Sequence, residues 1–310
     1  MEIKNILITG GLGFIGSNLA RKALEEDFSV SILSRSNKKL KNIRSIEDKV
    51  QVIYKDVKKI GEEVKGKDYI FHLASTVDNY NIKSDPYLDI DVNCNGTIAL
   101  LEACKNYNPL AKIIFASTFF VNGNLEKLPA TPQSPCNPMG LYPATRLAAE
   151  HFCKIYNQVF NLNSVIARFS NVFGVNEEGD NKKKAAFNHL IKLATEDKEV
   201  PVYGKGNFKR DYIYVDDVSK ALLAIADKGK KEEIYYVGRG EGVKFIDLIN
   251  MVIEESGTGK IKYISPPEFH NQVGISDYFT DISPIKKLGW SPEVSLREGI
   301  QKTIQSYKNE

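Results

Sequence analysis

A glycine-rich turn near the start of the chain constrains its fold more than any other feature. Residues 6–9 are apolar enough to form a buried strand, and residues 10–16, Gly-Gly-Leu-Gly-Phe-Ile-Gly, lead directly into a helical pattern. Glycines suit a tight turn in which the backbone approaches a pyrophosphate and a helix packs closely on the strand. Because a helix N-terminus also attracts negative charge, this order of elements predicts a dinucleotide-binding turn.

The turn fits two glycine patterns at once. Gly11, Gly13 and Gly16 match G-x-G-x-x-G, whereas Gly10, Gly13 and Gly16 match the wider G-x-x-G-x-x-G. The glycine positions alone leave the choice between them open.

The composition excludes several other classes of protein. The 310 residues are 42% hydrophobic, and 42 basic against 39 acidic residues give a net charge of +3, too balanced to indicate a nucleic-acid or membrane partner. Four cysteines without C-x-x-C spacing indicate neither a metal site nor a disulfide framework. No apolar run approaches the ~20 residues of a membrane span, and a strand at the N-terminus leaves no room for a signal peptide. We therefore expect a cytoplasmic, soluble protein.

Short apolar segments alternate with longer amphipathic ones, which predicts an α/β fold with a Rossmann-type, doubly wound parallel sheet. The predicted strands span 6–9, 29–33, 50–54, 69–73, 113–117 and 163–168, and the helices about 14–26, 89–106 and 140–159. After residue 168 glycines and prolines interrupt shorter elements, which indicates a smaller C-terminal lobe. Segments 211–215, 217–226 and 234–237 are expected to return to the large domain. We predict a nucleotide-binding domain of 1–170 plus about 208–238, and a substrate-binding lobe of about 171–207 and 239–310.

Three side chains form a candidate proton-transfer site. Tyr142 and Arg146 are four residues apart in a helix-favouring stretch, so they share one helix face, and Thr118 follows an apolar strand. A cation lowers the pKa of a neighbouring phenol, and a hydroxyl can hold the oxygen of a substrate. From spacing alone, an ordinary surface pair of Tyr142 and Arg146 is the commoner case.

The chain resembles the extended short-chain dehydrogenases/reductases, the group of nucleotide-sugar epimerases, dehydratases and reductases. The resemblance runs along nearly the whole chain in the family's order. Its motifs are TGGLGFIG at 9–16, DV at 56–57, FHLA at 71–74, NCNGT at 93–97, LLEA at 100–103, PMGLY at 138–142, RFSNVFG at 168–174, RDYIYVDD at 210–217 and KLGW at 287–290.

The resemblance implies a role for each matching residue. Tyr142 would be the general acid/base and Thr118 its hydrogen-bonding partner, and both would contact the sugar, with Arg146 completing the catalytic set. The implied cofactor-binding residues are Gly10, Gly13, Phe14, Ile15, Gly16, Ser34, Arg35, Asp56, Val57, Leu73, Ala74 and Arg146. Asn171 and Arg210 would hold the nucleotide diphosphate of the substrate. For Arg210 a salt bridge with Asp211 is the alternative.

The chain departs from the family pattern at three positions. Arg146 stands where the family has lysine; it keeps the charge but carries a longer, planar head. Ser34 and Arg35 replace the acid that accepts a ribose 2′-hydroxyl of NAD, so we expect NADP(H), with NAD(H) as the alternative. Near Asn271 many relatives carry a second arginine for the substrate.

These departures favour one reaction. Phe119 and Phe120 stand where the 4,6-dehydratases carry an Asp-Glu pair, so dehydration is not expected. Because a reductase consumes NADPH, we favour reduction of a nucleotide-activated keto-sugar, such as a 4-keto-6-deoxyhexose. The alternatives are a 4-epimerase with bound NAD and a non-catalytic NADP-binding protein.

The resemblance also implies a homodimer that packs through the helices near 89–106 and 140–159. The apolar residues that could form this surface, or equally the core of the chain itself, are Leu100, Leu101, Leu147, Ala148 and Phe152.

Overall fold

The protein is described by a computed structural model that covers residues 3–76, 82, 85–180, 186–268 and 274–309. Asn271, where the family pattern raised a question about substrate binding, lies outside the described residues. No described helix is long and apolar enough to cross a membrane.

A parallel sheet of seven strands forms the centre of the molecule, which confirms the predicted Rossmann-type α/β fold. Its strands are β1 (Asn5–Thr9), β2 (Ser29–Ser34), β3 (Val50–Tyr54), β4 (Tyr69–His72), β5 (Lys112–Thr118), β6 (Asn163–Phe169) and β11 (Ile234–Val237). They lie in the order β11-β6-β5-β4-β1-β2-β3. The order reverses direction beside β1, and ligands bind beyond the carboxyl ends of the strands at such a point.

Helices cover both faces of this sheet because side chains of a strand alternate between its two faces. They are α1 (Phe14–Glu25) and α6 (Val215–Lys228) on one face, and α3 (Gly96–Tyr107) and α4 (Leu141–Phe160) on the other. Ile6 and Ile8 pack with the first pair, whereas Leu7 packs with the second. Leu100 and Leu101 are fully buried in this second cluster, so neither contributes to a dimer surface.

The remaining elements form small sheets and a third apolar cluster, except for the short helix at Ser283–Lys286, whose Ile285 packs with α1 and α6. They are β7 (Asn171–Phe173), β8 (Glu199–Tyr203), β9 (Lys209–Arg210), β10 (Tyr212–Tyr214), β12 (Val243–Lys244), β13 (Lys260–Ile264), α5 (Ala186–Thr195), α7 (Phe245–Ser256), α8 (Ser283–Lys286) and α9 (Leu296–Lys308). β10 pairs in parallel with β7 in a separate two-stranded sheet, while its Ile213 packs in the apolar cluster between the large sheet and α1 and α6. β11 does join the large sheet, beside β6. The division into two domains stays a prediction.

The helix predicted from residue 89 is interrupted. A short helix, α2 (Pro86–Asp89), is followed by a π-helical turn at Ile90–Asn95 before α3 begins. Such a turn redirects side chains and is common at functional sites. Here it contains Asn93, whose amide reaches the start of α4.

Candidate active site

The glycine turn joins β1 to α1 through close backbone contacts. Gly10 has a φ of +71°, and a Cβ there would lie 2.9 Å from the backbone of Ala74. A Cβ on Gly16 would lie 2.6 Å from the carbonyl oxygen of Gly10. By contrast, a Cβ on Gly11 would meet the side chain of Ile32, inside the sheet. Glycine at positions 10 and 16 therefore allows the close backbone packing of the turn, which a methyl group at either position would disturb.

The N-terminus of α1 is free to bind an anion. Gly13 occupies its N-cap position without a capping side chain, and the first turn contains no acidic residue. The first N–H groups of a helix, here those of Phe14 and Ile15, have no partner within the helix, and the helix dipole adds positive charge. The turn thus fits the pyrophosphate of a dinucleotide.

Alanine at Gly10 will weaken cofactor binding and destabilise the protein. The left-handed backbone conformation costs a non-glycine residue about 1–2 kcal/mol, and the contact with Ala74 adds to this. Gly66→Ala is the matched control, because Gly66 has a φ of +66° with nothing within 4 Å of an added Cβ. Urea denaturation and cofactor titration of both variants test this; equal losses in the two would contradict it.

The candidate proton-transfer residues come together in one buried site. Thr118 ends β5, and Tyr142 is the second residue of α4, with Arg146 one turn further on. Only 9% of Tyr142, 7% of Thr118 and 1% of Arg146 is exposed. Burial raises the pKa of the Tyr142 phenol, whereas the charge of Arg146 and hydrogen bonding to Thr118 and Ser75 oppose that rise. A phenol so placed can exchange a proton with a substrate oxygen.

Arg146 brings an unbalanced positive charge into this site. Its Nε and Nη1 atoms are buried and have no hydrogen-bond partner among the described residues. Its guanidinium carbon lies 4.3 Å from the centre of the Phe115 ring. Unsatisfied buried donors are costly. Since Nε and Nη1 are closed to solvent, what Arg146 offers this site is its positive charge, which acts on the Tyr142 phenol.

Two residues of the site were not identified from the sequence. Ser75, in the loop after β4, interacts with the Tyr142 phenol and donates a hydrogen bond to Asn93 Oδ1 over 3.0 Å. Asn93 also donates to the hydroxyl of Thr145 over 3.0 Å, so it ties the loop to α4. Asn93 belongs to the motif at 93–97, which was the one available signal; Ser75 belongs to no motif.

An ion pair behind the site joins α4 to β6. Arg168, 2% exposed, donates to both carboxylate oxygens of Glu150, over 2.9 and 2.7 Å. Glu150 also accepts from Ser117, the neighbour of Thr118, over 2.5 Å. The pair therefore fixes the helix that carries Tyr142 against the strand next to the one that carries Thr118.

His72 is a buried, neutral structural residue at the end of β4. Its Nε2 lies 3.0 Å from Thr97 Oγ1, which itself donates to the Asn93 carbonyl. Its Nδ1 lies 2.8 Å from Thr9 Oγ1. A proton on Nε2 satisfies both contacts, whereas a second proton would remove the acceptor that faces Thr9. Burial, with the charge of Arg146, lowers the pKa of His72 to about 3.

This burial predicts acid sensitivity. Because the folded-state pKa of about 3 lies below the ordinary 6.5, the unfolded chain binds the proton first, and stability is lost as the pH falls from 6.5 towards 3. The loss is at most about 1.4 kcal/mol per pH unit. His72→Gln should be less stable than wild type at pH 7, with the gap narrowing by pH 4 in urea denaturation. A stability gap that stays constant between pH 7 and pH 4 would contradict this.

The residues proposed for the adenosine end lie at the carboxyl ends of β2 and β3. Ser34 donates to the carbonyl of Ser36 over 2.9 Å, and Arg35 is exposed without an ion pair in the described part of the chain. Asp56 accepts from the backbone N–H of Lys58 over 2.9 Å, while Val57 is buried. The backbone N–H of Leu73 donates to the Thr9 carbonyl, and the backbone N–H of Ala74 donates to the Thr9 hydroxyl. These two hydrogen bonds hold Leu73 and Ala74 against the turn.

The two residues proposed for the substrate are held by backbone contacts. The guanidinium of Arg210 donates to the carbonyls of Ile275 and Ser276 and lies over the ring of Phe208. Asp211 is fully buried and accepts from Thr280 and Arg239, so the alternative salt bridge between Arg210 and Asp211 is wrong. Asn171 donates to the Asp211 carbonyl over 3.0 Å. Their role in diphosphate binding stays a prediction.

Comparison with known proteins places this site in a family. A model of the NAD-dependent epimerase/dehydratase family matches residues 6–238. The chain belongs to this family. The resemblance inferred from the motifs is thereby confirmed, and the protein is an enzyme of the nucleotide-sugar epimerase and dehydratase group.

Individual members of the epimerase/dehydratase family match along nearly their full length. A putative UDP-glucose 4-epimerase of Methanocaldococcus jannaschii is 33% identical, with 98% of both chains covered. The UDP-N-acetylglucosamine 4-epimerase of Methanobrevibacter ruminantium, solved with UDP-N-acetylmuramic acid, is 26% identical with a TM-score of 0.92, over 100% of this chain and 99% of that one. The UDP-glucuronic acid 4-epimerase of Bacillus cereus, solved with UDP-glucuronic acid and NAD, is 29% identical with a TM-score of 0.87, over 98% and 99%.

Proposed function

We propose that the protein is a UDP-sugar 4-epimerase that retains a nicotinamide dinucleotide. The observation that carries this proposal is the buried set of Tyr142, Thr118 and Arg146, in a chain whose reported relatives are 4-epimerases. Tyr142 interacts with Ser75, whose neighbour Ala74 packs on Gly10 of the glycine turn. Those relatives support the epimerase better than the reductase that Ser34 and Arg35 favoured.

The cofactor would lie along the carboxyl edge of the sheet. Gly10, Gly13 and Gly16, with the N–H groups of Phe14 and Ile15, would hold its pyrophosphate. Asp56 and Val57 would face the adenine, and Arg146 the nicotinamide ribose. When bound, the nicotinamide supplies a hydride acceptor that can also give the hydride back.

The chain's own residues would move the proton. Thr118 and Tyr142 would hold the sugar hydroxyl, and Tyr142, as the phenolate, would take its proton as the carbon loses a hydride. Arg146 would stabilise the phenolate by its charge. For return of the hydride to the opposite face, Tyr142 would give the proton back to the same oxygen. Substrate and product then differ only in configuration, and no cofactor is consumed.

Three finer points stay proposals. The relatives support a nicotinamide dinucleotide, NAD in the Bacillus structure, while exposed Arg35 still suits the 2′-phosphate of NADP(H). Asn171 and Arg210 would hold the UDP diphosphate. A homodimer would use the exposed apolar residues of α4, Ile155 and Val159, together with Leu147, Ala148 and Phe152.

Sugar interconversion tests the function. The purified protein is incubated with UDP-glucose, UDP-N-acetylglucosamine or UDP-glucuronic acid, and the products are identified by proton NMR while absorbance at 340 nm follows the nicotinamide. We expect one of these sugars to form its 4-epimer without net change in NAD(P)H. Stoichiometric NADPH oxidation with a 4-keto-sugar nucleotide, or no conversion of any sugar, would contradict the proposal.

Release of the bound nucleotide identifies the cofactor. The protein is denatured and the freed nucleotide is separated by chromatography against NAD and NADP standards. NADP would support the argument from Ser34 and Arg35, and NAD alone would remove it.

A further inference from the structure

The guanidinium of Arg146 is held without a carboxylate partner. The acid one turn along the same helix, Glu150, is taken up by Arg168 and Ser117. No described residue accepts a hydrogen bond from Arg146 Nε or Nη1. A buried cation in this state needs another source of stabilisation, because burial alone costs several kcal/mol.

The aromatic face of Phe115 contacts the Arg146 guanidinium in the place of a counterion. Phe115 lies in β5, three residues before Thr118, and is fully buried. Its ring centre is 4.3 Å from the guanidinium carbon and 5.8 Å from the neutral ring of His72. An arginine head stacks on an aromatic face, and the attraction is strongest where water is excluded.

We propose that Phe115 is a positioning residue that fixes the plane of the Arg146 guanidinium, and with it the part of the guanidinium that meets the cofactor. The inference rests on the proposed function only in requiring that a nicotinamide dinucleotide binds at the glycine turn. An ammonium group is a point charge with freely rotating donors, so an aromatic face cannot orient it in the same way. Phe115 therefore matters in this chain because the residue at position 146 is arginine.

A double-mutant cycle separates this role from ordinary packing. NADH and NADPH binding is measured by nicotinamide fluorescence for wild type, Phe115→Leu, Arg146→Lys and the double variant, after bound cofactor has been removed. Phe71→Leu is the control, since Phe71 is equally buried but lies in the apolar cluster on the other face of the sheet. Urea denaturation reports how much stability each phenylalanine contributes.

The proposal predicts strong coupling between the two positions. Phe115→Leu should weaken cofactor binding about tenfold in the arginine protein, as expected for a desolvated cation–aromatic contact, and less than about twofold in the Arg146→Lys background. Phe71→Leu should lower stability comparably and leave binding unchanged. Equal effects of Phe115→Leu in both backgrounds would overturn the role of Phe115 and leave the function standing. Failure of wild type to bind either cofactor would overturn both.

Discussion

Phenylalanine in place of Tyr142 will lower turnover by about a hundred- to ten-thousandfold, the usual contribution of a positioned acid/base group. The variant keeps the ring in its buried place at the start of α4 and removes only the hydroxyl that exchanges the proton. Because the glycine turn and Arg146 are unchanged, cofactor binding should remain within about twofold of wild type. Progress curves with the active UDP-sugar and a fluorescence titration with NADH measure the two quantities.

Tyr156→Phe is the matched control on the same helix. The hydroxyl of Tyr156 donates to Glu102 over 2.6 Å, remote in the chain from Thr118 and the glycine turn. Its loss should leave turnover near the wild-type value. If Tyr142→Phe were as active as Tyr156→Phe, Tyr142 would have no part in proton transfer.

Methionine in place of Arg168 will cost about 3–5 kcal/mol of unfolding free energy, because it leaves the carboxylate of Glu150 buried and uncompensated. Burial and the attraction of Glu150 act on Arg168 in opposite directions, and the attraction prevails, since the pKa of Arg168 is raised. Urea denaturation at pH 7 measures the loss. Lower activity should accompany it, because Ser117 shares the same carboxylate next to Thr118.

Two further variants test whether the loss of stability is specific to the ion pair of Arg168 and Glu150. The double variant Arg168→Met with Glu150→Met should recover most of the lost stability, since two apolar side chains replace a pair that was costly to desolvate. Arg297→Met, which removes the ion pairs of a half-exposed guanidinium with Glu254 and Glu255, should change stability much less. A loss in Arg168→Met no larger than in Arg297→Met would show that the buried pair does not hold α4 in place.

The parts of the fold that depend on local pattern could be predicted from the sequence. The strand before the glycine turn and the helix after it follow from residues close together in the chain, and β1 and α1 lie within one residue of the expected bounds. The strand at Tyr212–Tyr214 was also expected, but its partner was not, because pairing with β7 is a contact between distant segments. Its short apolar run fits either sheet equally well.

The candidate site, too, could be predicted only in the parts that depend on local sequence. Helical spacing placed Tyr142 and Arg146 on one helix face, but it was the family resemblance that assigned them, with Thr118, to one site. The hydrogen bond of Ser75 to Asn93 and the commitment of Glu150 to Arg168 arise from loops and helices that meet only in the folded chain. The preference for a reductase rested on Ser34 and Arg35 alone, a cofactor argument that says little about the reaction.

The central claim is that the hydride removed from C4 returns to the same carbon. The most direct test is a UDP-sugar deuterated at C4, incubated with the protein in the presence of an excess of unlabelled NADH and NADPH. The account predicts that the 4-epimer forms with its deuterium retained at C4, as seen by mass spectrometry and by the missing proton signal. A product that carries hydrogen at C4, with deuterium in the nicotinamide pool, would contradict it.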